Sequence, residues 1–313
     1  ALSTALSPVG SFADKLRIMK LRLASRKGTL ADLYRRPSQS TEQRLRETGF
    51  SEAMIDQFFR PFLGGVFLDE SLTTSSRMLE FVFRMFAAGD IAVPADGMAA
   101  IPRQLADGLS RGTLHLQQTV KHIETGDDFH LVHLTDGTSL KANHIVIATE
   151  SNAAAKLLGK PEWSTEWNQT TVLYFVADRS PETSKLLMLR GDEDDCIQTA
   201  VVMSDVAPEY ASKNRSLISI SISDRFVDLP TDQLEWQVRK QAERWFGEPV
   251  RRWECVQTIR VPYGLPAGEL DPVELAINTE VERLYVCGDH RETPSIQGAM
   301  NSGVRVAKHI LAA

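Results

Sequence analysis

The stretch Leu284-Tyr285-Val286-Cys287-Gly288-Asp289, followed by Pro294-Ser295-Ile296-Gln297-Gly298-Ala299-Met300-Asn301-Ser302-Gly303, decides the fold. A short apolar run ahead of Gly-Asp reads as a buried strand, and the next segment opens a helix on small residues. A strand that ends in Gly-Asp presents a carboxylate at the sheet's edge with little side-chain obstruction. The free N–H groups at the start of the following helix favour partial negative charge. Gly298, Ala299, Ser302 and Gly303 fall three and four apart, a small-residue stripe that lets the helix backbone come close to a flat ligand or another element.

Working outward, Lys141-Ala142-Asn143-His144-Ile145-Val146-Ile147-Ala148-Thr149 repeats the pattern. A hydrophobic run ends in small residues and a helix opens at Ser151-Asn152-Ala153, as in a parallel sheet, whose strand ends commonly hold ligands. Before it, Leu114 to Glu124, Phe129 to Leu134 and Ser139 onward are short β segments separated by Gly126-Asp127-Asp128 and Asp136-Gly137. Residues 11 to 90 read as helical. Phe12, Leu16, Met19 and Leu23 are spaced three and four apart, and Ser40-Thr41-Glu42-Gln43 reads as a capping box opening a helix that ends at Gly49. A short helix from Ser51 to about Arg60 is expected to stop at Pro61 with a turn at Gly64-Gly65, and Ser75 or Ser76 to cap a longer helix. Between Thr170 and Asp224, Thr171 to Val176, Leu186 to Leu189, Ile197 to Met203 and Leu217 to Ile222 read as a second sheet, followed by a helix from Gln233 to Phe246.

With 313 residues the chain has room for two domains, and a hydrophobic content of 42% with 24% charged residues is ordinary for a globular protein. A net charge of -6 argues against a nucleic-acid partner. Cys196, Cys255 and Cys287 are widely spaced and odd in number, which suggests neither zinc nor a disulfide framework and fits a reducing, cytoplasmic compartment. No apolar run approaches the length of a membrane span, and the greasy stretch from Leu79 to Ala92 is interrupted by Glu80, Arg84 and Asp90. Peripheral contact with a membrane, or residence in a plastid, is compatible with this composition.

The closing strand and helix resemble the C-terminal motif of the flavin-containing amine oxidase, phytoene desaturase and protoporphyrinogen oxidase superfamily. Three further segments agree in order. Pro94-Ala95-Asp96-Gly97-Met98 is similar to that superfamily's Pro-x-Gly-Gly-Met turn, with Asp96 where glycine is commoner. Thr119-Val120-Lys121-His122-Ile123 is similar to the strand whose valine backbone meets adenine, and Ile145 to Thr149 to the strand that returns to the dinucleotide site. The resemblance implies noncovalent FAD. It implies that Asp289 bonds the ribityl or pyrophosphate region, that Val120 contacts adenine, that Gln297, Gly298 and Ala299 meet the flavin ring, and that Ala148, Thr149, Gly288, Ser295 and Ile296 also bind the cofactor.

The implied fold class is α/β, with α+β character in the substrate part: an incomplete Rossmann-like FAD-binding domain and a substrate domain made of a mixed sheet and a helical block. Residues 1–90 are expected as the helical part of the substrate domain, 91–160 as the middle of the FAD-binding domain, 161–250 as the substrate-domain sheet and helix, and 251–313 as the C-terminal FAD-binding segment. The superfamily's Gly-x-Gly-x-x-Gly turn, which holds the ADP half of FAD, does not occur, and Gly64-Gly65 follows a helix rather than a strand. The chain therefore reads as a member truncated at its N-terminus. The implied activity is removal of a hydride equivalent from an apolar or amine-bearing small molecule. A redox-neutral flavin-dependent isomerase or mutase, and a non-catalytic binding protein that lost its nucleotide unit, are the alternatives.

No catalytic side chain and no metal site is assigned. The seven histidines lack metal-ligand spacing, and His130 with His133 is expected in an exposed strand. His290 follows Asp289 directly but takes no catalytic role. Cys287 reads as a small buried hydrophobe rather than a covalent anchor. Asp192-Glu193-Asp194-Asp195 and Arg251-Arg252 read as solvated charges, and Arg60 with Phe58, Phe59, Phe62 and Phe67 either lines a substrate tunnel or packs a core.

Overall fold

The computed structural model describes residues 9–191, 195–267 and 279–312. The chain divides into two compact units that alternate along the sequence, 1–103 with 168–264 and 104–167 with 265–313. The three boundaries lie further along the chain than residues 90, 160 and 250. The last is displaced because a long strand, Glu254–Pro266, belongs to the five-stranded sheet of the first unit.

In the first unit, helices α1 (Phe12–Ser25), α2 (Leu30–Tyr34), α3 (Thr41–Glu47), α4 (Arg60–Phe67) and α5 (Ser76–Ala88) form a block around Leu45, Ile55, Phe59, Leu63, Leu72 and Leu79. Local capping starts these helices. Ser40 accepts from the Gln43 amide at 3.1 Å, but the Gln43 side chain turns to Glu47 at 2.9 Å, so only half of the expected capping box forms. Ser75 caps α5 by accepting from the Arg77 amide. Asp14, buried in α1, accepts from the Ser11 amide at 2.8 Å and, 37 residues away, from the Ser51 amide at 3.0 Å and the Ser51 hydroxyl at 2.8 Å. Burial alone would raise its carboxyl, but these bonds from Ser11 and Ser51 outweigh it and hold the group well below the usual carboxylate range.

The helix after Ser51 does not stop at Pro61. Glu52–Met54 passes into a π-helical turn, Ile55–Phe59, and then directly into α4, which runs to Phe67. The π turn slips the hydrogen-bond ladder, so Pro61 arrives in the first turn of a new α segment, where a missing N–H is tolerated. Gly64 and Gly65 are therefore helical rather than a turn. A Cβ on Gly64 would lie 2.9 Å from Gln198 Nε2, and one on Gly65 would lie 3.2 Å from Thr199 Cγ2. The reversal falls instead on Leu68, at φ 55°.

The sheet of this unit has the order β6 (Met188–Leu189), β7 (Ile197–Val202), β8 (Ser216–Ile222), β5 (Trp167–Ala177), β9 (Glu254–Pro266). Along β8, Ile218, Ile220 and Ile222 alternate inward, and they pack with Leu173, Phe175 and Ile197 against Leu234, Val238 and Ala242. The last three lie on a helix, Thr231–Phe246.

The second unit holds a three-stranded antiparallel sheet, β1 (Val120–Glu124), β2 (His130–Leu134) and β3 (Ser139–Ala142). It also holds a parallel pair of β4 (Ile145–Ile147) and β10 (Leu284–Val286). Helices Ser151–Leu158 and Ile296–Ala312 follow the two parallel strands. Ile145, Ile147, Ala154, Leu284 and Val286 make their common core. The architecture is mixed α/β, and among the described residues no helix is long and apolar enough to cross a membrane.

Candidate functional site

The parallel pairing places Val286 opposite Ile147, and the Cys287 amide donates to the Ile147 carbonyl at 2.9 Å. Both strands therefore end at the same level, and Ala148 and Thr149 come beside Gly288 and Asp289. A Cβ on Gly288 would stand 3.6 Å from the Thr149 carbonyl oxygen. Ala148 and Thr149 are exposed and Asp289 is half-buried. Parallel strand ends with helices leading away from them are where α/β sheets bind ligands.

The second helix is tied to this end by side chains. Ser302, fully buried on Ile296–Ala312, accepts from the Gly288 amide at 2.9 Å and donates to the Ala299 carbonyl at 2.7 Å. Ser295 caps the helix by accepting from the Gly298 amide at 3.0 Å, and its carbonyl accepts from the Ala299 amide at 2.9 Å. Ile296, Gln297 and Ala299 are exposed at the helix start, and Gly298 is buried. The small-residue stripe has mixed causes. A Cβ on Gly298 would lie 1.8 Å from the Thr293 carbonyl oxygen, whereas one on Gly303 meets nothing within 4 Å. The chain's own loop thus demands the first glycine, and nothing among the described residues demands the last.

His290 is the residue the sequence left without a role. It is 2% exposed, its ring packs on the Gly288 α-carbon where a Cβ would lie 2.6 Å from it, and neither ring nitrogen has a hydrogen-bond partner among the described residues. Burial, helped by the Arg291 charge, pulls its pKa down to about 4, so the ring is neutral. Burial raises the Asp289 carboxyl, and the Glu150 charge acts in the same direction against the hydrogen bond from the His290 amide. Around them, the Arg291 guanidinium lies over the Trp163 ring at 4.6 Å, and Arg305 binds Glu292 at 3.0 Å and the Arg291 carbonyl at 2.7 Å. The only signal for His290 in the sequence is its place after Asp289.

Of the expected site residues, Ala148, Thr149, Gly288, Asp289, Ser295, Ile296, Gln297, Gly298 and Ala299 belong to these two strand ends and the helix that follows. Val120 stands apart from them at the start of β1, paired with Leu134 in the three-stranded sheet. The donors and acceptors fit a polar, ring-bearing cofactor: a helix start, a carboxylate, and a buried imidazole with both nitrogens unpartnered.

His130 is not in an exposed position: it is 1% exposed, bonded to the Glu282 carbonyl at 3.0 Å and to the Gly126 amide at 3.3 Å, because β2 turns it beneath the loop. Phe59 and Phe67 are core. Phe58 and Phe62 are half-buried and stack at 5.6 Å, and Arg60 is held by Glu42, Asp56 and the Glu70 carbonyl. Asp192, Glu193 and Asp194 lie outside the described residues. Asp195 pairs with Arg244 at 2.6 Å, and Arg251 pairs with Glu243. Cys287 is buried, and burial pushes its thiol up. Among the described residues no group of three or more potential metal ligands occurs.

Comparison with known proteins follows the same lines. A family profile described as flavin containing amine oxidoreductase matches residues 3–311. An oxidoreductase from Methanosarcina mazei superposes with a TM-score of 0.73 at 16% identity, covering 95% of this chain and 73% of its own. A protein provisionally described as a protoporphyrinogen oxidase from Exiguobacterium sp. 255-15 gives 0.69 at 15% identity, covering 97% and 73%. A putrescine oxidase bound to putrescine gives 0.71 at 13% identity, covering 98% and 77%. A search of curated protein sequences gave no significant match.

Proposed function

The chain belongs to the flavin-containing amine oxidoreductase family, and on that premise we propose that it serves a noncovalent FAD-dependent oxidation of an apolar or amine-bearing small molecule. The observation that carries this reading is the meeting of the Thr149 and Gly288-Asp289 strand ends with the start of the helix Ile296–Ala312. When bound, FAD supplies a two-electron acceptor.

The chain's own residues bind and orient. Asp289 would hold the ribityl or pyrophosphate region of FAD, and Ala148, Thr149 and Gly288 would offer backbone at the strand ends. The helix start at Gln297 and Ala299 would favour negative charge on the reduced ring. Ser295 and Ser302 hold that helix start in register. Val120, through its backbone, is assigned to adenine. Cys287 is a poor candidate for a covalent flavin bond, since the thiolate is the reactive form and burial disfavours it. The similar putrescine oxidase, bound to putrescine, supports an amine substrate.

The purified chain, incubated with FAD and freed of excess, is expected to keep a visible flavin absorbance. Asp289→Ala is expected to weaken retention by about tenfold or more, the scale of a hydrogen bond to a charged group, with unchanged far-ultraviolet circular dichroism. An Asp289→Ala variant that retains FAD as well as the parent overturns the reading, whereas a colourless parent chain would assign the binding to the Gly-x-Gly-x-x-Gly unit that this sequence lacks.

A further inference from the structure

Helix α1 carries two opposed faces. Asp14, Leu21 and Ser25 are buried and Ile18 packs on the core beside them, whereas Phe12, Leu16, Met19 and Leu23 are 72, 45, 59 and 60% exposed. At about 100° per residue, the four exposed residues fall in an arc of ~60° on the side away from the buried one. Lys20 flanks that arc on one side and Lys15 and Arg22 on the other, with Arg26 at the C-cap. Between Ser11 and Gly28 the sequence has six basic residues and one carboxylate, in a chain of net charge -6. The single carboxylate, Asp14, is on the buried face.

The geometry points to this face as a surface that docks onto a bilayer of anionic phospholipid, with α1 lying in the headgroup plane. Phe12, Leu16, Met19 and Leu23 enter the acyl boundary, while the stems of Lys15, Lys20 and Arg22 lie along the apolar surface and their charges reach the phosphates. A narrow apolar stripe with cations on both flanks is the pattern such interfaces select. Charge decides against a second copy as occupant. Two α1 faces brought together about a twofold axis would set cationic rims against each other, whereas an anionic headgroup layer neutralises them. Length decides against a span: 14 residues make about 21 Å of helix, short of the ~30 Å hydrocarbon core.

The purified chain is mixed with vesicles of phosphatidylcholine containing phosphatidylserine, and with vesicles of phosphatidylcholine alone, and pelleted. Binding to the first, weak binding to the second and release by added salt are expected. Lys20→Gln with Arg22→Gln should weaken binding about 25-fold, since a basic residue near an anionic surface is worth about fivefold, from ~1 kcal/mol each. Leu16→Ser with Met19→Ser should weaken it while the thermal midpoint stays put, because both positions are exposed. A Phe12→Trp reporter should shift its fluorescence to the blue on anionic vesicles only. Equal binding to both vesicle types, no binding to either, or unchanged binding by both double variants would falsify the assignment. Vesicle-independent self-association that Leu16→Ser with Met19→Ser abolishes would give the face to a second copy instead.

Discussion

Gly64-Gly65 in the first unit and Gly288 with Gly298 in the second are two pairs of glycines that differ in what surrounds them. In each, a glycine allows a buried polar side chain to pack on the backbone. Gln198 lies at Gly64 and donates to the Pro61 carbonyl at 2.7 Å, while its Oε1 has no partner among the described residues; His290 lies at Gly288, and neither ring nitrogen has a partner among them. Yet Gly64 sits inside a helix pressed on β7, and Gly288 terminates a parallel strand beside another strand's end. At both, what approaches is the chain itself, and only Gly288 stands at a parallel strand end, where α/β sheets bind ligands.

The sharpest way to break this comparison is Gly298→Ala. The added Cβ would lie 1.8 Å from a backbone oxygen, so the variant is expected to lose about 3 kcal/mol or more of stability, read as the urea midpoint. A midpoint near that of the parent would show that the loop at Thr293 gives way easily and that Gly298 serves something other than packing.

Next in size is the pH dependence set by His290. Its folded-state pKa, about 4, lies below the ordinary 6.5, so as pH falls the unfolded chain takes the proton first. The stability contributed by the neutral buried ring is complete above about pH 6.5 and lost as pH falls toward 4, by up to about 3 kcal/mol. Replacing it in His290→Phe should flatten that part of the stability–pH curve, followed by urea unfolding at a series of pH values. An undiminished slope would move its origin to other groups.

The smallest effects separate glycines that the chain itself constrains from one that it does not. Gly64→Ala meets Gln198 Nε2 at 2.9 Å and the Glu70 α-carbon at 3.3 Å, and is expected to cost about 1–2 kcal/mol despite the better helix former. Gly303→Ala meets nothing within 4 Å and should gain up to about 1 kcal/mol. Thermal midpoints of the two variants should therefore move in opposite directions.

Much of the strand-end arrangement was legible before any coordinates. Leu284 to Cys287 and Ile145 to Ile147 are unbroken apolar runs leading into small residues, and a two-sided burial requirement leaves few other readings. The helix starts at Ser40, Ser51 and Ser75 were legible because one hydroxyl satisfies one amide locally. The continuation through Pro61 was not, since it depends on a π turn that no residue spells out. Strand β9 is not legible because much of its length is exposed and Gln257, Thr258 and Arg260 interrupt its apolar positions, so neither period stands out. His290 escaped for another reason: burial and the loss of partners depend on how the loop folds back over Gly288, which spacing does not encode.

Asp14 has a consequence for how the helical block comes apart. Its carboxylate serves the start of its own helix through Ser11 and the start of the helix after Ser51 at the same time. One proton therefore switches two helix origins. The stabilisation is complete above the usual carboxylate range and disappears as pH falls through the lowered folded value. Segments 37 residues apart in sequence thus share a single acid titration, and their first turns should loosen as one cooperative step rather than fray one after the other.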